Sequence, residues 1–279
     1  MPSIATASSA PQLTLVAPVR NEEDNLHALY RRVLEVFDGK LPFEFVLVDD
    51  GSTDGSVAII RELAARDPRV RGVVFERNCG QTAAMAAGIR AARAPLIATL
   101  DADMQNDPGD LPAMIALMPG HDAVVGFRIK RMDSTVRRWS SRIANRIRNR
   151  VTHDSVRDTG CSLKVFRAQA IQSIPLFEGM HRFLPTLLRY HGYDVIEHGV
   201  SHHPRTAGTS KYGLRNRAWR ASKDLVAVSW MRTRAIRAPI RELIETPAGA
   251  APAASPGTSA VTLPASGANP PAPLPAARR

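Results

Sequence analysis

Apolar residues in the first half of the chain fall into short runs separated by longer stretches of mixed polarity. The runs LTLVAP, FEFVLVDD, VRGVVFE, PLIATLDAD and DAVVGF are rich in Val, Ile or Leu and lack strict alternation. Strands covered on both faces read this way. Helical spacing fills the intervals, roughly Glu22–Phe37, Asp54–Arg66, Gln81–Arg93 and Gly109–Met118. Ser52, Thr53 or Asp54 is placed to cap the second of these helices. The alternation predicts an α/β domain with a mostly parallel, Rossmann-like sheet, helices on both faces and ligands at the strands' carboxyl ends.

Three polar turns sit at that predicted edge: PVRNEED, VDDGSTDGS and DADMQND. In LIATLDADMQNDPGD an apolar strand runs directly into Asp101, Asp103 and Asp107. Carboxylates crowded at a strand's mouth repel one another unless a cation relieves them. An ordinary solvated turn is the competing reading, because Asp, Asn and Pro are turn formers. Asp101 and Asp103 with Gln105 form an oxygen-only set suited to Mg²⁺ or Mn²⁺ shared with substrate phosphates. Asp49 and Asp50 are placed to accept hydrogen bonds from a base or ribose hydroxyl.

Composition sets the ends apart. Residues 1–11 are small and polar, and residues 246–279 are rich in Pro, Ala, Gly and Ser; both are expected to be disordered. Residues 12–245 remain as one predicted domain. Cys79 and Cys161 match no disulfide framework or metal motif. No run of about 18 apolar residues encodes a membrane-spanning helix, and no signal peptide is evident. A cytoplasmic protein is expected.

Taken together, APVRNEEDNL, VLVDDGSTDGS, RNCGQTAAMAAGI, TLDADMQNDP, VVGFR, DTGCSLKVFR and PRTAGTSKYG resemble the family 2 glycosyltransferases of GT-A fold. The resemblance runs from about Leu13 to Arg234 and is narrowest to the polyprenyl-phosphate branch, typified by dolichol-phosphate mannose synthase and undecaprenyl-phosphate sugar transferases. It implies an enzyme that moves one sugar, with inversion, from a nucleotide-sugar donor such as GDP-mannose or a UDP-sugar to a polyprenyl phosphate. It places Pro18, Arg20, Glu22, Val48 and Asp50 along the nucleotide. Position 20 departs from the family, which often has Tyr there. The resemblance gives metal and diphosphate to Asp101, Ala102, Asp103 and Gln105, with Asp103 catalytic, and phosphates to Arg128, Arg205 and Lys211. Asp158 falls on the acceptor side, where it would orient the acceptor or manage its proton.

The formal net charge of +11 asks for an anionic partner. Nine Lys/Arg lie between Arg128 and Arg150 against one acidic residue, with Val136, Trp139, Ile143 and Ile147 at helical spacing. Nine more lie between Arg205 and Arg237, interleaved with Trp219, Leu225, Val228, Trp230 and Met231. Basic amphipathic helices near 135–151 and 212–234 suit an anionic membrane surface, which makes the protein peripheral on the inner face of the membrane. A membrane-spanning partner protein is the other route to attachment. Packing of these stripes on the domain is the plainer alternative. A glycan acceptor, or a non-catalytic nucleic-acid or membrane-binding module, are the competing functions. No nucleic-acid-binding motif is recognisable, so no specific nucleic acid is expected.

Overall fold

The structure is a computed structural model that describes residues 10–129, 145–175, 177–203 and 214–234. The predicted alternation is realised as β1 (Leu13–Val19), α1 (Glu23–Phe37), β2 (Phe43–Asp49), α2 (Ser56–Arg66), β3 (Val70–Val74), α3 (Gln81–Ala91) and β4 (Leu96–Thr99). A 3-10 turn (Pro108–Asp110) leads into α4 (Leu111–Ala116) and β5 (Ala123–Arg128). Residues 145–152 form α5. Then come β6 (Lys164–Arg167), α6 (Ala168–Ser173), a second 3-10 turn (Met180–Arg182), α7 (Leu184–Tyr190), β7 (Val195–Val200) and α8 (Leu214–Arg234). Of the predicted ends, residues 1–9 of the segment 1–11 and all of 246–279 lie outside the described residues.

Seven strands pair in the order β3-β2-β1-β4-β6-β5-β7. Strands β1 to β4 are parallel, and β6 runs antiparallel between β4 and β5. Side chains alternate between two cores, as the period of two requires. Leu15, Ala17, Phe45 and Leu47 face Leu26, Leu29 and Val33 of α1 and Ile60 and Leu63 of α2. Val16, Val46, Val48 and Ile97 face Met85 and Ile89 of α3 and Leu184, Leu187 and Leu188 of α7. Each fully buried Leu or Ile contributes about 2 kcal/mol of hydrophobic burial. Helix α3 comes close enough that a Cβ on Gly88 would stand 2.2 Å from Val16 Cγ1.

Several boundaries differ from the sequence reading. Helix α2 starts at Ser56, not Asp54, because Gly55 is its cap residue and the Asp54 carboxylate accepts the Ser56 N–H at 3.0 Å. The segment predicted as one helix over 109–118 is a 3-10 turn followed by α4, with Pro108 and Pro112 each opening its own piece. Helix α8 splits its apolar residues: Leu225, Val228 and Met231 belong to the core, whereas Val226 and Trp230 are exposed. The packed half of that stripe is therefore structural.

Gly51 ends the turn after β2 with φ +68°, and a Cβ there would stand 2.4 Å from the Arg77 carbonyl carbon. Backbone, not a flexible side chain, blocks the space. Gly51→Ala is expected to lower the unfolding free energy in urea by at least about 2 kcal/mol. A loss under about 0.5 kcal/mol would show that residues 77–80 can retreat from the turn.

Candidate active site

The turns after β1 and β2 hold each other in place. Ser52 Oγ accepts the Asn21 N–H at 2.9 Å and Ser56 Oγ accepts the Glu22 N–H at 2.9 Å. In return, Asn21 Oδ1 accepts the Thr53 N–H at 2.8 Å and Glu23 Oε2 accepts the Gly55 N–H at 2.6 Å. Each side chain meets N–H groups that a helix start leaves unsatisfied. The fully buried Asp49 is part of this frame, accepting the Ser52 N–H at 2.9 Å. Its other carboxylate oxygen is buried without a hydrogen-bond partner.

Asp50 faces the next turn. Its carboxylate accepts the N–H groups of Cys79 at 2.6 Å and Gly80 at 2.9 Å, drawing the start of α3 to the sheet edge. Arg20 buttresses the same junction, donating from Nη1 to the carbonyls of Asp50 at 2.6 Å and Gly51 at 3.2 Å. The Asn78 amide oxygen, in the orientation its neighbours require, also accepts from Arg20. Pro18 and Glu22 lie half-buried at this edge, while the Val48 side chain belongs wholly to the core.

Gln81, the first residue of α3, donates from Nε2 to Asp101 Oδ1 at 3.1 Å. The acidic turn after β4 thereby joins the other two. Burial and then the neighbouring Asp103 push the Asp101 carboxyl up to about 6, with Glu22 adding to the rise; Lys164 and a hydrogen bond from Ser162 oppose it. Asp103 Oδ1 accepts the Gln105 N–H at 3.2 Å, and Ala102 is packed into the core. Among the described residues no three His, Cys, Asp or Glu side chains gather as a metal cage. Two repelling carboxylates beside an amide fit a hard divalent cation that takes its remaining ligands from a diphosphate.

On the other side of Asp101 stands a second pair. Arg128 donates from Nε to Asp158 Oδ2 at 2.7 Å and from Nη2 to Oδ1 at 3.0 Å. Both are largely shielded, with side-chain exposures of 15% and 8%. Asp158 also accepts the Gly160 N–H at 3.0 Å. The structure thus ties the two residues together. Arg205 and Lys211 lie outside the described residues, as do Val136, Trp139 and Ile143. Ile147 of α5 is 54% exposed, and Trp230 of α8 is 60% exposed with Arg234 over its ring.

Ser162, Lys164 and Gln81 were given no role by the sequence reading. Lys164 is buried, donates to the Cys161 carbonyl, and burial pulls its ammonium down from the ordinary lysine range. A lysine inside an apolar strand was the available signal. Ser162 and Gln81 carry none, because their roles depend on which strands and helices meet.

Comparison with known proteins places this geometry. The model of the family "Glycosyl transferase family 2" matches residues 14–174, nearly the whole span from β1 to α6. The chain belongs to that family. It is similar to the dodecaprenyl-phosphate galacturonate synthase of Rhizobium johnstonii, with 41% identity covering 78% of this chain and 66% of the relative. It is also similar to the undecaprenyl-phosphate 4-deoxy-4-formamido-L-arabinose transferase of Edwardsiella ictaluri, at 40% identity over 72% of this chain and 63% of the relative. The matched region thus spans slightly under two thirds of these relatives' length. Among solved structures, a glucosyl-3-phosphoglycerate synthase from Mycobacterium tuberculosis in complex with Mn²⁺ and UDP-glucose superposes with TM-score 0.61 at 15% identity, covering 81% of this chain and 80% of the other. A mannosyltransferase from Pyrobaculum calidifontis in complex with GDP-Man and Mn²⁺ gives 0.55 at 20% identity, covering 83% and 66%. These likenesses establish the fold. It is the GT-A-type, mostly parallel α/β sheet expected from the family 2 motifs.

The raised Asp101 carboxyl has a consequence for stability. A carboxyl whose folded-state pKa lies above its ordinary 3.8 destabilises the fold when ionised; the penalty is absent below about pH 4 and complete above about pH 6. Asp101→Asn, measured without divalent cations, is therefore expected to gain about 1–3 kcal/mol at pH 8 and to match the unsubstituted protein near pH 4. If the substitution instead costs stability at pH 8, the carboxylates do not repel as the geometry implies.

Proposed function

We propose that this chain transfers a sugar from a nucleotide-diphosphate sugar, a UDP-sugar or GDP-mannose, to a polyprenyl phosphate at a membrane surface. The observation that carries the reading is that one sheet edge gathers an acidic turn and, across β6, the Arg128–Asp158 pair. On this reading a donor-side cation site and an acceptor-side phosphate site would share that edge. The names of the two similar relatives, both polyprenyl-phosphate sugar transferases, support the acceptor class.

Asp101, Asp103 and Gln105 would hold Mg²⁺ or Mn²⁺, which as a Lewis acid supplies charge stabilisation to a departing nucleoside diphosphate. Pro18, Arg20, Glu22, Asp50, Ala102 and the backbone at Val48 would frame the nucleotide. Arg128 presents fixed positive charge where phosphate oxygens would lie, with Arg205 and Lys211 assigned to the same task by motif. Asp158 grips the Arg128 guanidinium in one orientation. The acceptor phosphate is already an anion and attacks without a strong general base, so Asp158 orients and need not take the proton. Inversion follows from a single displacement.

Incubation with a panel of UDP- and GDP-sugars, polyprenyl phosphate and Mn²⁺ is expected to move label into a lipid extract. Nucleotide binding without any glycolipid would favour a glycan acceptor instead. Asp103→Ala is expected to reduce turnover by at least 100-fold, on the order of 3 kcal/mol of transition-state stabilisation, with little change in unfolding temperature. Full activity in that variant, or in excess chelator, would remove the cation from the reaction.

Membrane attachment would rest on exposed Ile147 and Trp230 together with the basic helices. No helix among the described residues is long and apolar enough to cross a membrane. Each basic residue near an anionic surface is worth about 1 kcal/mol and fades within ~8 Å at physiological salt. Liposome binding is therefore expected to weaken at high salt without vanishing. Combined Ile147→Ser and Trp230→Ser should remove much of the salt-resistant part. Indifference to anionic liposomes at low salt would leave attachment to a membrane-spanning partner protein.

A further inference from the structure

Ser162 sits just before β6, where no part of the donor-binding reading assigns a role. Because β6 is antiparallel to β4, its amino end lies beside the carboxyl end of β4. Thr99, the last residue of β4, pairs in register with Lys164 and donates from Oγ1 to the Ser162 carbonyl at 2.7 Å. The two chains are thereby fastened next to the acidic turn.

The Ser162 hydroxyl then reaches both ends of that turn. Its oxygen accepts the Asp101 N–H at 3.2 Å and the Asn106 side-chain N–H at 2.8 Å. A hydroxyl oxygen has two lone pairs and one proton. Both lone pairs are thus engaged, one by the backbone at the start of the turn and one by the side chain at its end. Ser162 is only 5% exposed, so water does not compete for these bonds. One hydroxyl thus closes residues 101–106 into a ring and fixes the backbone that carries the first carboxylate.

We propose that Ser162 is a positioning residue for the divalent-cation site, acting through Asp101 by closing the 101–106 turn against β6. The inference rests on the cation-dependent reading above and deepens it. The same short segment carries Asp158 four residues earlier, so the piece of chain that grips Arg128 also anchors the Asp101 backbone. Alanine can make neither of the two bonds. Cysteine has nearly the size of serine but bonds weakly, and threonine retains the hydroxyl.

The test is Mn²⁺ titration followed by the loss of the free-ion paramagnetic resonance signal, with saturating UDP in one series and GDP in another. Ser162→Ala and Ser162→Cys are expected to weaken Mn²⁺ binding at least ~10-fold, as loss of a bond orienting a metal ligand commonly does. Ser162→Thr should stay near the unsubstituted value. Metal-free unfolding temperatures of the Cys and Thr variants should be similar, which a merely structural role would not separate from their Mn²⁺ affinities. Ser162→Cys serves if Ser162→Ala does not fold. Unchanged Mn²⁺ affinity in Ser162→Cys overturns the role of Ser162 and leaves the cation site standing. Absence of Mn²⁺ binding by the unsubstituted protein with either nucleotide overturns both.

Discussion

Like charge held against its own repulsion at the mouth of β4 is the constraint around which the rest of this molecule is arranged. Asp101 and Asp103 are two residues apart and partly removed from water, and Glu22 adds its charge from the neighbouring turn. Nothing in strand or turn chemistry requires this. The fold supports it with directed bonds: Gln81 from α3, Ser162 from before β6, and the field of the buried Lys164. Such a site is held in stored repulsion, which a cation would relieve. Stability and function oppose each other at this point, as they commonly do where a protein carries charge for a ligand.

Topology determines which residues share the crevice. In a wholly parallel sheet only the segments following strands reach the carboxyl edge. The reversal of β6 adds a segment that precedes a strand, residues 158–162, and with it the Arg128–Asp158 pair. Removing one partner of so shielded a pair would strand the other's charge, which costs several kcal/mol, about 3–5. The pair is consequently a rigid support. The acidic turn and the Arg128–Asp158 pair are therefore held by one segment of chain.

The basic helices show how one stripe divides between packing and exposure. In α8, Val228 joins the core and Leu225 and Met231 pack against it, whereas Val226 and Trp230 are exposed. In α5, Ile147 is exposed while Arg148, one residue on, is buried and bonds the Val156 carbonyl. Helical spacing specifies that apolar residues share a face, but not what covers that face.

Family membership, the order of strands and helices in the first half, and the acidic turn were legible in the amino-acid sequence. The reasons are local: short apolar runs bury both faces, and each acidic turn follows such a run at the predicted carboxyl edge. The capping of the turns was read less well, because Ser52, Asn21, Ser56 and Glu23 satisfy one another across some thirty residues rather than within their own helices. Motif matching named Arg20, Asp50, Arg128 and Asp158. Only the folded chain showed Arg20 bonded to backbone, Asp50 drawing in residues 79–80, and Arg128 locked to Asp158. Ser162 and Gln81 escaped notice altogether. Their chemistry is common to any polar surface, and their value comes solely from the antiparallel pairing of β6 and the seating of α3, which are long-range contacts that no local pattern encodes.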